Sequence, residues 1–113
     1  MADKALAGIR VLELGPYVAL PLTGRILASM GAEVIKVESH SAIDVLRTLG
    51  PSLDEDHPLE TMYMANVARN QLGVLLALRT EQGQAIAHRA VCGAHDKSNC
   101  VGLYFGFLFL RDV

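Results

Sequence analysis

The chain has 113 residues, 51% of them apolar, and carries 10 basic against 12 acidic residues. That length and composition fit one packed domain and argue against disorder along the whole chain. Neither sign of charge forms a run, so the basic stripe of a nucleic-acid surface is excluded and no nucleic-acid partner is expected.

The two ends of the chain bear on its location. Residues Met1 to Lys4 lack the apolar core of a signal peptide. Cys92 and Cys100 are therefore expected to be free thiols in a reducing, cytoplasmic setting, or in a mitochondrion or peroxisome if the chain is eukaryotic. The apolar stretch from Cys100 to Leu110 is shorter than the roughly 20 residues of a membrane span, so no membrane partner is expected.

The first forty residues predict a strand, a helix and a second strand. Ile9 to Leu14 is a β-branched and leucine run that ends at Gly15-Pro16, and Ala32 to Glu38 is a second such run. Between them, Pro21 suits the first turn of a helix and Gly31 its left-handed end. Apolar residues at helical spacing are expected to form the inward face: Leu22, Ile26, Leu27 and Met30. The pattern predicts an α/β fold of Rossmann-like βαβ units with a parallel sheet.

Beyond Glu38 the pattern is less regular. Residues 39–60 predict a long loop, 62–70 fit either helix or strand, and 73–78 predict a third strand. Thr80 is a good N-cap for a helix from Glu81 to Val91. Three apolar residues are expected to face inward from that helix: Ile86, Ala90 and Val91. Residues 101–110 fit either a core strand or an exposed tail.

The residues themselves support none of three common kinds of site. The turn from Gly15 to Leu20 lacks two glycines of a dinucleotide fingerprint, although Glu38 stands where a ribose-binding acid would. His95 between Cys92 and Cys100 fits no common zinc spacing, so no metal is expected. The other histidines show no triad pattern, and the acidic run 54–56 indicates a solvated loop.

Four segments in a fixed order carry a family resemblance. They are LAGIRVLEL from Leu6, LASMGAEVIKVE from Leu27, DVLR with a following GP from Asp44, and RNQLGVLLALRTEQG from Arg69. In this order they resemble the opening of the class III CoA transferases, which include formyl-CoA transferase, carnitine CoA-transferase and α-methylacyl-CoA racemase. The resemblance covers roughly residues 6 to 94.

The resemblance implies the incomplete amino-terminal part of a Rossmann-like large domain (1–94), followed by a divergent apolar tail (95–113). It implies acyl-CoA and a carboxylic acid as substrates, no prosthetic group, and an interlocked homodimer. In the transferases an aspartate attacks the thioester and passes through anhydride and aspartyl-CoA intermediates. That aspartate is expected beyond this chain, so no catalytic residue is assigned, Asp96 included, and the chain alone is expected to be inactive.

Coenzyme A contacts are implied in three turns. The positions are Val18, Ala19, Ser39, Leu76, Ala77, Leu78 and Arg79. Ser39 and Gln71 replace residues that are usually basic, and Ala77 replaces an aspartate. Arg79 keeps the positive charge of the family's lysine. For Arg47 and Arg79, the alternative interpretation is a solvated surface charge.

The leading functional hypothesis is an acyl-CoA:carboxylate CoA-transferase. Three alternatives stay open. The first is an α-methylacyl-CoA racemase-like enzyme, and the second is a non-catalytic fragment that binds coenzyme A or a protein partner. The third is a nucleotide-binding half-domain.

Overall fold

A four-stranded parallel sheet with helices on both faces organises the chain. The computed structural model describes residues 4–92 and 100–104, with side chains from 4 to 90. The strands are β1 (Arg10–Leu14), β2 (Glu33–Glu38), β3 (Leu72–Leu75) and β4 (Cys100–Tyr104), in the order β3-β2-β1-β4. The helices are α1 (Ala19–Ser29), a short 3-10 helix (Val45–Arg47), α2 (Met62–Val67) and α3 (Glu81–Cys92). The expected α/β class is confirmed.

The predicted βαβ unit is formed by β1, α1 and β2. Val11 of β1 pairs in register with Val34 of β2, and both pack with Ala28 and Ala32 in a buried cluster. Pro21 lies in the first turn of α1. Gly31 follows the helix end with φ 108°, a backbone angle that glycine adopts without steric cost. Pro21 and Gly31 therefore lie at the start and the end of the helix, as the sequence predicts.

The inward face of α1 differs in part from the expected one. Leu27 packs against the buried cluster as expected. Leu22, Ile26 and Met30 do not, and are 39%, 52% and 44% exposed. The residues that α1 buries are smaller on average: Leu20, Pro21, Gly24 and Ala28. Gly24 lies so close to the sheet that a Cβ there would collide with the Glu13 carboxylate. The Glu13 carboxylate and the Gln71 amide fill the space that a larger residue at this point of the helix would need, and the larger apolar residues face outward.

The connection from β2 to β3 is an ordered loop that contains two short helices. Asp44 caps the 3-10 helix by accepting the Leu46 N–H (3.0 Å), and Thr61 caps α2 by accepting the Met64 N–H (3.2 Å). Leu46, Met64 and Val67 form a second buried cluster. The segment 62–70, which the sequence leaves between helix and strand, is therefore helical to Val67.

The last connection runs from β3 through α3, which packs on β1 and β4. Thr80 caps α3 as predicted, because its Oγ1 accepts the Gly83 N–H at 3.1 Å. The expected inward position of Ile86 is wrong: it is 43% exposed, while Gly83 and Ala87 face the interior. Ala90 is half-buried, and the Val91 side chain lies outside the described residues. The backbone of Cys100–Tyr104 forms a strand parallel to β1.

Candidate functional site

The predicted coenzyme A positions all follow the carboxyl ends of adjacent strands. Val18 and Ala19 come after β1, Ser39 comes directly after β2, and residues 76–79 come directly after β3. Because these strands are parallel neighbours, their following turns meet at one edge of the sheet. The Leu76 N–H donates to the Glu38 carbonyl oxygen at 2.9 Å, which joins the second and third turns. This edge is where ligands bind in open α/β sheets.

The turn after β1 is held in an unusual conformation. Tyr17 has φ 70°, in the left-handed region that a bulky residue rarely occupies. Its N–H donates to Oδ1 of Asp44 at 3.1 Å, and Lys36 Nζ donates to the Gly15 carbonyl oxygen at 3.1 Å. Val18 is exposed, and no side chain caps the amino end of α1 among the described residues. The first helix amides therefore face the sheet edge without a side-chain acceptor.

A buried ion-pair network lies beneath that turn. Lys36 Nζ is 2.8 Å from Glu13 Oε1 and 2.9 Å from Asp44 Oδ2. These three residues are 2%, 0% and 2% exposed. Burial raises the pKa of Glu13, and the hydrogen bond and charge of Lys36 offset only part of that rise. Glu13 Oε2 has no hydrogen-bond partner among the described residues, so this carboxylate is incompletely compensated.

A second ion pair extends the network to the loop. Arg47 donates from Nη2 to Glu38 Oε1 (2.6 Å) and from Nε to Oε2 (2.8 Å), and the Asp44 N–H donates to the same carboxylate (3.0 Å). Burial alone would raise the pKa of Glu38, but these hydrogen bonds outweigh it and lower the pKa below its ordinary value. Five charged residues thus link β1, β2 and the 39–47 loop.

Two sequence-based interpretations change in light of this network. Glu38 is 7% exposed and engaged by Arg47, so its carboxylate is not free to bind a ribose, which argues against the dinucleotide alternative. Arg47 is not a solvated surface charge, because its guanidinium is paired and only 27% exposed. The Arg79 side chain is exposed and makes no hydrogen bond or ion pair within the described part of the chain. Arg79 therefore remains available to a ligand.

The turn after β3 is fixed by the start of α3. Thr80 Oγ1 donates to the Ala77 carbonyl oxygen (2.8 Å), and Gln84 Nε2 donates to the Leu78 carbonyl oxygen (3.1 Å). Gly83 touches this turn so closely that a Cβ there would collide with the Ala77 carbonyl oxygen. Side chains of α3 and its cap thus hold the carbonyl oxygens of Ala77 and Leu78, independently of the side chain at Ala77.

A cavity of about 250 Å³ lies between α2 and the edge of β3. Its polar lining includes Lys36, Arg47 and Gln71, and its apolar lining includes Met64 and Leu72. Gln71 donates from Nε2 to the Pro21 carbonyl oxygen at 2.8 Å, while its buried Oε1 has no partner among the described residues. The cavity borders the ion-pair network, and its lining residues do not include those of the three turns.

Sequence reasoning missed Glu13, Lys36 and Asp44 as site-building residues. The available signal was the presence of charged letters inside apolar strands, VLEL and VIKVE, since a buried charge needs a partner. The expected solvated acidic loop is present: Asp54 is exposed, and its hydrogen bond with His57 lowers its pKa. His95, where the sequence predicts no metal site, lies outside the described residues.

The chain belongs to CoA-transferase family III, whose family model matches residues 6–95. The fold agrees with this, because a solved CaiB/BaiF family protein from Brucella suis is similar to 80% of this chain, with a TM-score of 0.70 and 32% identity. The match covers 24% of that protein.

Two curated relatives carry transferase names. The chain is 40% identical over 88 residues to succinyl-CoA–D-citramalate CoA-transferase of Chloroflexus aurantiacus, covering 78% of this chain and 21% of that protein. It is 38% identical over 89 residues to succinate–glutarate CoA-transferase of Agrobacterium fabrum, covering 76% and 22% respectively. The chain thus spans about a fifth of the length of these relatives. Among the helices that the structure describes, none has the length and apolar character to cross a membrane.

Proposed function

We propose that this chain forms the coenzyme A-binding amino-terminal part of an enzyme that transfers coenzyme A between carboxylic acids. The observation that carries the proposal is the meeting of three turns at the carboxyl edge of the sheet, with Arg79 after β3 exposed and without an ion-pair partner among the described residues. Family membership and the transferase names of the relatives support the same reaction.

Each turn has a separate role in this proposal. Val18 and Ala19 bring the uncapped start of α1 toward a phosphate, because helix amides and the helix dipole attract anions. Ser39 contributes a hydroxyl in place of a cation. The backbone at Leu76, Ala77 and Leu78 lies against the nucleotide, and Arg79 adds a positive charge for the phosphates.

The remaining parts of the proposal follow the family. Residues 1–94 belong to the large domain and 95–113 are a divergent tail. The intact enzyme is a cytoplasmic homodimer that uses acyl-CoA and a free carboxylate. The chain's acidic residues are not assigned as nucleophile: Glu13, Glu38 and Asp44 are committed to the buried network. By analogy with the family, the attacking carboxylate is expected outside the matched segment.

The test is titration of the purified chain with coenzyme A by calorimetry. Arg79→Ala is expected to weaken binding roughly tenfold, the cost of one charge-assisted contact, and to reduce its salt dependence. Arg69→Ala is the matched control, since Arg69 is an exposed arginine before β3, at the opposite end of that strand.

Equal losses in the two variants, or no binding by the wild-type chain, would contradict the proposal. A parallel assay with acyl-CoA donors is expected to show no turnover by the chain alone. Protein-dependent coenzyme A exchange in that assay would show that the nucleophile lies within these 113 residues.

A further inference from the structure

We infer that Asp44 is a positioning residue, which holds the turn after β1 in the conformation that presents Val18 and Ala19 at the sheet edge. The inference rests on the proposed function for the identity of the ligand. It does not rest on it for the conformation of the turn.

The backbone of the turn after β1 is strained. Tyr17 occupies φ 70° although it is neither glycine nor asparagine. Such a backbone conformation persists only where the surroundings hold it. Tyr17 is also 60% exposed, so its side chain has little packing that could hold the backbone in place.

The Asp44 carboxylate restrains this turn. Its Oδ1 accepts the Tyr17 N–H across 27 residues of sequence, and its Oδ2 lies 2.9 Å from Lys36 Nζ. Lys36 in turn donates to the Gly15 carbonyl oxygen, so one buried ion pair fixes the turn at two points. A charged acceptor makes a stronger hydrogen bond than a neutral one, which suits this role.

Asp44 is itself held in place by Glu38 at the end of β2. Its N–H donates to Glu38 Oε2, and Glu38 is held by the Arg47 guanidinium. The same Oδ1 caps the 3-10 helix at Leu46. Asp44 therefore connects the end of β2 to the turn after β1, and its own side chain is buried.

The experiment compares Asp44→Ala and Asp44→Asn in the full chain, with Glu33→Gln as a control carboxylate in an exposed ion pair with Arg10. Hydrogen exchange of the Tyr17 amide and calorimetric affinity for coenzyme A are measured for each. Asp44→Ala is expected to speed Tyr17 exchange and weaken coenzyme A binding, each roughly tenfold. Asp44→Asn keeps an acceptor oxygen and is expected to retain most of the Tyr17 protection.

The amides of β1 and β2 separate positioning from general stability, since both strands should keep their protection in the variants. Loss of protection throughout the sheet, or an unchanged Tyr17 amide in Asp44→Ala, would overturn the inference. If the wild-type chain does not bind coenzyme A, the proposed function fails, while Tyr17 exchange still decides the role of Asp44.

A double-mutant cycle with Tyr17→Gly gives a second readout. Glycine adopts positive φ without steric cost, so the turn should need less restraint. Asp44→Ala is therefore expected to speed exchange of the residue-17 amide less in the Tyr17→Gly background than in the wild type. Equal effects in both backgrounds would count against a positioning role. If Asp44→Ala fails to fold, the cycle is carried out with Asp44→Ser, whose shorter side chain can still cap Leu46 but removes the carboxylate that accepts the Tyr17 N–H.

Discussion

Lys36 lies between two buried carboxylates, those of Glu13 and Asp44. Replacing it with methionine would leave both carboxylates without this cation, whereas Glu13→Gln leaves Lys36 paired with Asp44. Breaking a buried ion pair from one side costs about 3–5 kcal/mol. We expect Lys36→Met to lose about that much unfolding free energy at neutral pH, and Glu13→Gln about 1 kcal/mol or less. Urea denaturation measures both values.

Glu13→Gln and the wild type should also differ in the pH dependence of their stability. The pKa of Glu13 is raised in the folded state from its ordinary 4.5, so the folded protein binds this proton more tightly than the unfolded chain. Its contribution to stability is therefore complete below pH 4.5 and is lost as pH rises through the folded pKa. Glu13→Gln lacks that loss, so its stability relative to wild type should improve across this window. Parallel stability curves for the two proteins would contradict this expectation.

At the scale of elements, small residues set how closely each helix approaches the sheet. Gly24 of α1 leaves room for the Glu13 carboxylate, and Gly83 of α3 leaves room for the Ala77 carbonyl oxygen. Both helices direct larger apolar residues outward, such as Ile26 and Ile86. Apolar periodicity predicts that a helix has an apolar face, and the largest apolar residues are usually expected to face the core. In these two helices a glycine lies at the close contact instead, and large apolar residues are exposed.

We expect Gly83→Ala to displace the turn after β3. Its Cβ would meet a backbone oxygen, so the start of α3 or the turn must shift, at a cost of about 1–3 kcal/mol. Coenzyme A affinity should fall with it, because residues 76–79 move. Gly73→Ala is the matched control, since nothing lies within 4 Å of a Cβ at that position in β3. Thermal unfolding and calorimetry would show no difference between the variants if the turn were not held by α3.

At the scale of the whole molecule, the sequence is informative where structure depends on local pattern. The first βαβ unit, the positive φ of Gly31 and the Thr80 cap all follow from residue types at short spacing. The buried ion-pair network cannot be predicted from local pattern, because it joins Glu13, Lys36 and Asp44 across 31 positions of sequence. The sequence shows that charged residues lie within two apolar strands, but only the register of β1 with β2 pairs Glu13 with Lys36.

The proposed coenzyme A positions were also predictable from the sequence only in part. Topology places the three turns at one edge once the strand order β3-β2-β1 is known, and parallel strands alone do not fix that order. The left-handed Tyr17 could not be read from the sequence, because tyrosine has no preference for positive φ and the hold comes from Asp44. Long-range restraints of this kind are what the sequence pattern leaves out.

The outward face of α1 bears on how whole molecules associate. Val18, Leu22, Ile26 and Met30 recur every four residues and are all at least 39% exposed, which forms an apolar stripe along one helix. Contiguous exposed apolar surface favours association in water. We therefore expect the purified chain to self-associate as its concentration rises, measured by sedimentation velocity.

Ile26→Lys should reduce that association, because it places a charge in the middle of the stripe. Stability should change by no more than about 0.5 kcal/mol, since Ile26 is 52% exposed. Gln82→Lys adds the same charge to exposed surface on α3 and should leave association unchanged. If both variants associate as the wild type does, the stripe is not the contact surface. The exposed edge strand β3, with Leu72 and Leu75 outward, would then be the surface to mutate next.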